Sequence, residues 1–380
     1  MSTFVVGAFE HPVRHAPDIS TSQLHAEVAA GALRDAGLSF ADVDAYYTAG
    51  APGLGPINMV EYMGLTPRIV DSTETGGSAY MLHVGHAMRA IATGQCRVAL
   101  ITLAGRPRSA GMRTVTDRFD GPEEDFERPY RAQVLNLYAM VAARHMYEHG
   151  TTSEQLAWIK VAASHHAQHN PNAFLKKVVT VEDVVSSPLV SDPLHRLDCC
   201  VVTDGGGALV LACEEVARSL SRPLVRVMGA GEAVGYSRGG YADITTTGAL
   251  RSGAAAFAEA GVTPADIKMA CIYDSFTISV LVALEDLGFC EKGGGGRFVA
   301  DGNLISGVGR MPFNTDGGGL CNNHPYNRGG MTKLIEAVRQ LRGEAHPAVQ
   351  VPNCDLALAH GTGGWLGARH VSGTVIMGAA

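Results

Sequence analysis

One short pattern occurs twice in this chain. Ala36-Gly37-Leu38 followed by Ala41-Asp42-Val43 returns as Ala260-Gly261-Val262 followed by Ala265-Asp266-Ile267, with both pieces displaced by 224 residues. Each copy reads as a helix end, a glycine stop, a short capped turn and a buried strand. The period is far too long for a solenoid. It calls for two similar α/β units packed together, with a site between them. A weaker pair agrees: the helix pattern over 331–341 with the strand 355–359 echoes the helix 78–93 with the strand 97–103.

Apolar runs that read as buried strands alternate with helix-period segments. Strands are expected over 4–8, 43–47, 97–103, 208–211 and 269–272, and helices over 22–36, 78–93, 131–149 and 153–168. This alternation predicts α/β layers. Residues about 106–195 do not fit the repeat and read as a helical insertion of the first half, capping the site. The crossing between halves is expected at 219–223. The expected domains are therefore 1–221, carrying the insertion, and 222–380.

The chain has 380 residues, 46% of them hydrophobic and 18% charged, with a net charge of −7. That is enough to bury a large core, and nothing global favours nucleic acid as a partner. No apolar run reaches the ~18–20 residues of a membrane span, and the N-terminus reads as a first strand instead of a signal peptide. Eight cysteines include no C-x-x-C pair, so no zinc ribbon or redox motif and no metal site is expected; a reducing cytoplasm suits them. Glycine, at 46 residues, clusters in short loops between apolar segments, as in tight turns around a site.

Thr73-Glu74-Thr75-Gly76-Gly77-Ser78-Ala79-Tyr80 is such a turn, opening a helix. Backbone N–H groups and the positive end of the helix dipole converge there, a setting that commonly activates a Cys or Ser. The only hydroxyl at the helix start is Ser78, expected mainly as an N-cap. His166-Ala167-Gln168-His169-Asn170-Pro171-Asn172-Ala173, Pro193-Leu194-His195-Arg196-Leu197-Asp198-Cys199-Cys200, Asp204-Gly205-Gly206, Asn314-x-x-Gly317-Gly318, His324-Pro325 and His360-Gly361-Thr362-Gly363-Gly364 follow along the chain.

On these motifs the chain resembles the thiolase superfamily nearly end to end, and most closely its sterol-carrier-protein-type and lipid-transfer-like branch. The resemblance implies a thiolase-like fold of duplicated, layered α/β/α halves with a helical loop-domain insertion. It also marks two departures. The family's nucleophilic Cys falls on Gly77, and its His-Asp-Cys-Phe motif reads Tyr273-Asp274-Ser275-Phe276. Both catalytic thiols are gone. Asn323 replaces the Gly before His324, and Tyr80 stands where a small Gly usually follows the nucleophile.

A thiolase needs a covalent thioester, which Gly77 cannot form. Retro-aldol cleavage needs a base and enolate-stabilising donors but no thiol. Some thiolase-like proteins that lack the Cys resemble this pattern and act as aldolases on steroid side-chain CoA esters, working with a small OB-fold, zinc-ribbon partner. The expected activity is therefore retro-aldol cleavage of a β-hydroxyacyl-CoA, with no cofactor beyond the thioester substrate itself. Tyr273 would accept the proton and His324 would stabilise the enolate. Tyr326 and His360 would assist, and Asp274 would tune or hold Tyr273. Gly76, Gly77, Ser78, Ser275, Asn323 and Gly361 would line the substrate. The alternatives are a non-catalytic acyl-CoA or lipid-binding protein, and an acyltransferase with an altered nucleophile. The resemblance implies a homodimer, for which the apolar strand 97–103 could continue a sheet across a two-fold axis, and a heterotetramer with the partner. Arg106, Arg108 and Arg113 are candidates for CoA, or else a solvated basic loop.

Overall fold

The computed structural model describes residues 2–111, 133–235, 241–325, 329–366 and 368–380. The first half runs β1 (Thr3–Glu10), α1 (Thr21–Ala36), β2 (Ala45–Thr48), α2 (Pro56–Met63), β3 (Ile69–Asp71), α3 (Ala79–Ala92) and β4 (Val98–Gly105). The inserted segment contributes α4 (Val134–His149), α5 (Ser153–Ala167) and the short hairpin β5 (Leu189–Ser191) and β6 (Leu194–His195), before β7 (Gly205–Cys213) completes the half. The second half runs β8 (Val225–Gly235), α6 (Ala249–Ala260), β9 (Met269–Ile272), α7 (Thr277–Asp286), α8 (Gly330–Leu341), β10 (Leu356–Trp365) and β11 (Ala368–Ala379).

The offset of 224 is structural. Gly37 and Gly261 both cap their helices in the left-handed region, at φ 75° and 70°. Asp42 and Asp266 each accept from the backbone N–H and hydroxyl of the residue three before, Ser39 and Thr263. β2 and β9 then begin at equivalent positions, Ala45 and Met269. The sheet order is β3-β2-β4-β7-β1-β8-β11-β10-β9. Beyond β9 a single parallel bridge, Ala270 to Phe313, stands where the first half has β3.

Among the described residues the two half-sheets pair where Thr3–Val5 of β1 meet Val225–Val227 of β8. From this splice they diverge and enclose α3 and α8. Tyr80, Met81 and Val84 of α3 and Leu334, Ile335 and Val338 of α8 share one core with strand residues of both halves. α1 covers the outer face of the first sheet. α6, α7 and the inserted helices cover the second.

Two local expectations are corrected. β4 is paired on both sides, with β2 and β7, so no sheet can continue across a two-fold axis through it; the edge strand of that half is β3. Ser78 makes no N-cap bond. A 3₁₀ turn, Gly76–Ser78, runs directly into α3, so Ser78 already has helical φ and ψ. A capping side chain needs an extended backbone; here the hydroxyl instead donates back to the carbonyl and Oγ1 of Thr75.

Candidate active site

The site forms where α3 begins, β9 ends and the loop 314–325 passes between them. Gly77 is enclosed on three sides. A Cβ built on it would lie 2.5 Å from the carbonyl oxygen of Thr362 and 2.6 Å from the ring of Tyr273. Its own carbonyl packs against Gly330 of α8 and Gly361 of β10, where a Cβ would approach within 1.9 and 2.7 Å. Three glycines from three elements thus bring the start of α3 against the second half. Gly76, at φ 67°, supplies the left-handed turn that aims the backbone inward.

Tyr273 follows the last residue of β9, and its N–H donates to the carbonyl of His360 at 2.9 Å. Its hydroxyl lies 2.9 Å from Nε2 of His324. Both rings are almost wholly buried, at 4% and 6% exposure. Gly319 and Gly329 leave room for them, since a Cβ on either would lie about as close as 2.9–3.0 Å to Cδ2 of His324. Burial pushes the Tyr273 phenol well above its usual range, with Cys200 and Tyr138 adding to the effect. Burial pushes the His324 imidazole down to about 4. At neutral pH the pair therefore holds a neutral phenol and a neutral imidazole, and a single proton lies between them.

The loop carrying His324 is held by side chains. Asn314 donates to the carbonyl of Ile272 and accepts from its N–H, both at 2.9 Å, and so ties the loop to the end of β9. Thr203 accepts the His324 N–H at 2.9 Å and donates to Oδ1 of Asn323 at 2.7 Å. Asn323 in turn donates to Glu10 at 2.9 Å, so its amide is committed to the loop's anchor, away from the rings. The insertion binds the same region: Nδ2 of Asn170 donates to the carbonyl of Asp316, and Nε2 of His166 accepts the N–H of Ser306.

The other expected site residues are placed as follows. Asp274 does not bond Tyr273. β9 has ended, so the alternation of a strand no longer governs it; its carboxylate accepts the N–H groups of Gly319 and Leu320, at 2.8 and 3.1 Å, and lies 2.8 Å from Nζ of Lys333. His360 meets Tyr273 through its carbonyl alone. Strand alternation turns Gly361 toward α3 and the His360 ring to the outer face, where Nδ1 bonds Thr374 at 2.9 Å and Thr374 bonds Ser252 of α6. Burial pushes His360 down to about 3. Ser275 is buried, its carbonyl accepting the Cys200 N–H and its hydroxyl beside the Tyr138 phenol. Tyr326 and Arg113 lie outside the described residues. Arg106 is spent on the carbonyls of Ala16 and Pro17. Arg108 stacks over the ring of Phe174 at 4.4 Å.

Sequence reasoning missed Lys333, Thr203 and Tyr138. One signal was present. Lys333, Glu336 and Gln340 are spaced by three and four along a helix otherwise rich in apolar residues, which marks a polar stripe on a buried helix. Among the described residues no group of three or more His, Cys, Asp or Glu could hold a metal ion, and no helix is long and apolar enough to cross a membrane. All eight cysteines are free.

With this geometry in hand, the comparisons with known proteins are specific. Residues 233–378 match the family model described as thiolase C-terminal domain-like. The chain is 34% identical over 376 residues to the acetyl-CoA acetyltransferase of Methanothermobacter thermautotrophicus, covering 95% of this chain and 96% of that protein. It is 36% identical over 347 residues to the 17-hydroxy-3-oxo-4-pregnene-20-carboxyl-CoA lyase of Mycobacterium tuberculosis, covering 85% and 87%. The solved Ltp2-ChsH2(DUF35) aldolase superposes with a TM-score of 0.89 at 32% identity, over 100% of this chain and 98% of that one. The chain belongs to the thiolase superfamily, in its sterol-carrier-protein-type branch. Within it the chain is an aldolase-type lyase.

Proposed function

We propose that this enzyme cleaves a β-hydroxyacyl-CoA by a retro-aldol reaction, without a covalent acyl-enzyme. The observation that carries this reading is the occupation of the nucleophile's place: the Tyr273 ring stands where a side chain on Gly77 would begin. Acyl transfer needs a nucleophile there. Ser78 does not substitute, because its hydroxyl is turned back onto Thr75.

The Tyr273–His324 pair supplies what a retro-aldol step requires. The phenol oxygen accepts the proton of the substrate β-hydroxyl as its own proton passes to Nε2 of His324. The electrons of the broken O–H bond form the new carbonyl. The Cα–Cβ bond breaks, and its electron pair enters the thioester as an enolate. The imidazolium of His324, created by the same transfer, faces that negative charge and stabilises it. The proton then returns through Tyr273 to Cα. The products are a ketone or aldehyde and a shortened acyl-CoA, and the pair is restored.

The acyl group is proposed to be a steroid side chain, as the name of the mycobacterial lyase suggests. A small OB-fold, zinc-ribbon partner is proposed as well, supported by the two-component name of the structural relative; with a homodimer of this chain the assembly would be a heterotetramer. Arg108 and Phe174, stacked beside the 314–325 loop, are candidates for the CoA moiety. A cytoplasmic location is proposed from the eight free thiols. The test is co-expression with such a partner, followed by product identification from synthetic β-hydroxyacyl-CoA esters. Release of a carbonyl compound with an equal amount of shortened acyl-CoA is expected; saturable binding with no product under any partner combination is the outcome for a non-catalytic binder.

A further inference from the structure

Lys333 is the fourth residue of α8 and is 1% exposed. Its ammonium lies 2.8 Å from Oδ1 of Asp274. This is a poor arrangement if its purpose is stability. A positive charge in the first turn of a helix opposes the dipole. A buried ion pair rarely outweighs the desolvation of its two charges.

The neighbourhood gives the charge a different use. Asp274 accepts two N–H groups from the turn Gly318–Asn322, which leads directly into His324. The ring of His324 packs over Gly319, the same residue whose N–H the carboxylate holds. An uncompensated carboxylate so close would draw a proton onto the imidazole. Other titratable groups facing the cluster are Asp316 and Cys321 from the loop, Cys271 from β9, Tyr273, and Cys200, Tyr138, Tyr80 and Lys160 around them.

We propose that Lys333 is a positioning residue whose buried charge cancels that of Asp274 and so keeps His324 a neutral acceptor for the Tyr273 hydroxyl. The proposal rests on the retro-aldol reading for its consequence in catalysis, but its physical content is the charge state of one imidazole. The opposing pulls of Asp274, upward, and Lys333, downward, on His324 agree with it. Lys333 touches no reacting atom. It acts through Asp274.

The test uses the whole protein labelled at histidine Cε1, with the His324 signal assigned by its loss in His324→Gln. Two variants remove the charge: Lys333→Gln, whose amide can still donate to Asp274, and Lys333→Met. In the parent protein the His324 signal is expected to stay in its neutral position down to about pH 5. In either variant it should titrate with a midpoint at least one pH unit higher, a tenfold or greater rise in the protonated fraction at a given pH. Adding Asp274→Asn should return it to the parent position. A His324 signal that stays neutral to pH 5 in Lys333→Gln overturns the proposal. The reading of the reaction is tested separately: an absence of turnover in the parent protein removes that reading and leaves the titration to decide on Lys333. Where turnover is found, the acid limb of kcat/KM should move upward with the titration.

Discussion

The ring of Tyr273 and the α-carbon of Gly77 exclude any side chain between them. A Cβ on Gly77 would stand 2.6 Å from two atoms of the ring and 2.5 Å from the backbone oxygen of Thr362. The ring could turn aside only by leaving His324; the backbone oxygen has no such freedom. A bare glycine at 77 and the phenol ring of Tyr273 are therefore two sides of one contact.

Restoring the thiol should consequently fail. Gly77→Cys is expected to destabilise the fold by about 1–3 kcal/mol, as overpacking does, and to form no acyl adduct with an acyl-CoA. Gly77→Ala should cost a similar amount. Pairing Gly77→Ala with Tyr273→Ala should recover part of that loss, because the second change removes one of the two obstructions. Thermal and denaturant unfolding of the four proteins, read as a double-mutant cycle, measure the coupling.

Tyr273→Phe removes one hydroxyl and leaves the ring that fills the site. The fold should persist, with a loss on the order of 1 kcal/mol for one buried hydrogen bond. Turnover should fall by about 10²–10⁴, the usual size of a proton-transfer contribution. Circular dichroism and kcat/KM on the same preparation separate the two effects. Full turnover in this variant would remove Tyr273 from the mechanism.

His360→Gln separates geometry from motif. The imidazole faces Thr374 and α6, away from the Tyr273–His324 pair. The variant should lose stability while kcat/KM stays within about tenfold of the parent, the size of an indirect packing effect. A loss as large as that of Tyr273→Phe would bring the His360 side chain back into the reaction.

The fold should be sensitive to acid. His83, His166, His324 and His370 are pushed down by burial to about 4, and His360 to about 3. Below pH 6.5 the unfolded chain takes up protons that these five sites refuse in the folded state. The contribution of these five sites to folding stability is thus undiminished above pH 6.5 and falls steadily as the pH drops toward about 4. Urea midpoints recorded from pH 8 to pH 4.5 should decline over that window. A constant midpoint would show that these imidazoles are not held neutral.

The duplication, the alternation of helices and strands and the end of β9 at Tyr273 were legible in the sequence, because each rests on local patterns: glycine stops, capped turns and apolar periodicity. The absence of a thiol at Gly77 was legible too. Its cause was not, since the contact with Tyr273 joins two distant segments through the packing of α3 against the second half. The same limit applies to Asp274 and His360. Their places in the motifs suggested a common pocket, but the end of β9 frees one carboxylate to anchor the loop, and strand alternation in β10 turns one imidazole outward. Ser78 misled for a local reason: a 3₁₀ turn continuous with the helix removes the extended backbone a cap requires.

The central claim is that carbon–carbon cleavage occurs here with no bond to the protein. A single-turnover reaction of the enzyme and the proposed partner with a β-hydroxyacyl-CoA, followed by intact-mass analysis of the protein and quantitation of both products, tests it most directly. The account predicts equal amounts of carbonyl product and shortened acyl-CoA, with the protein mass unchanged at every time point. A protein carrying the mass of an acyl group, or an acyl group transferred to free CoA, would contradict it.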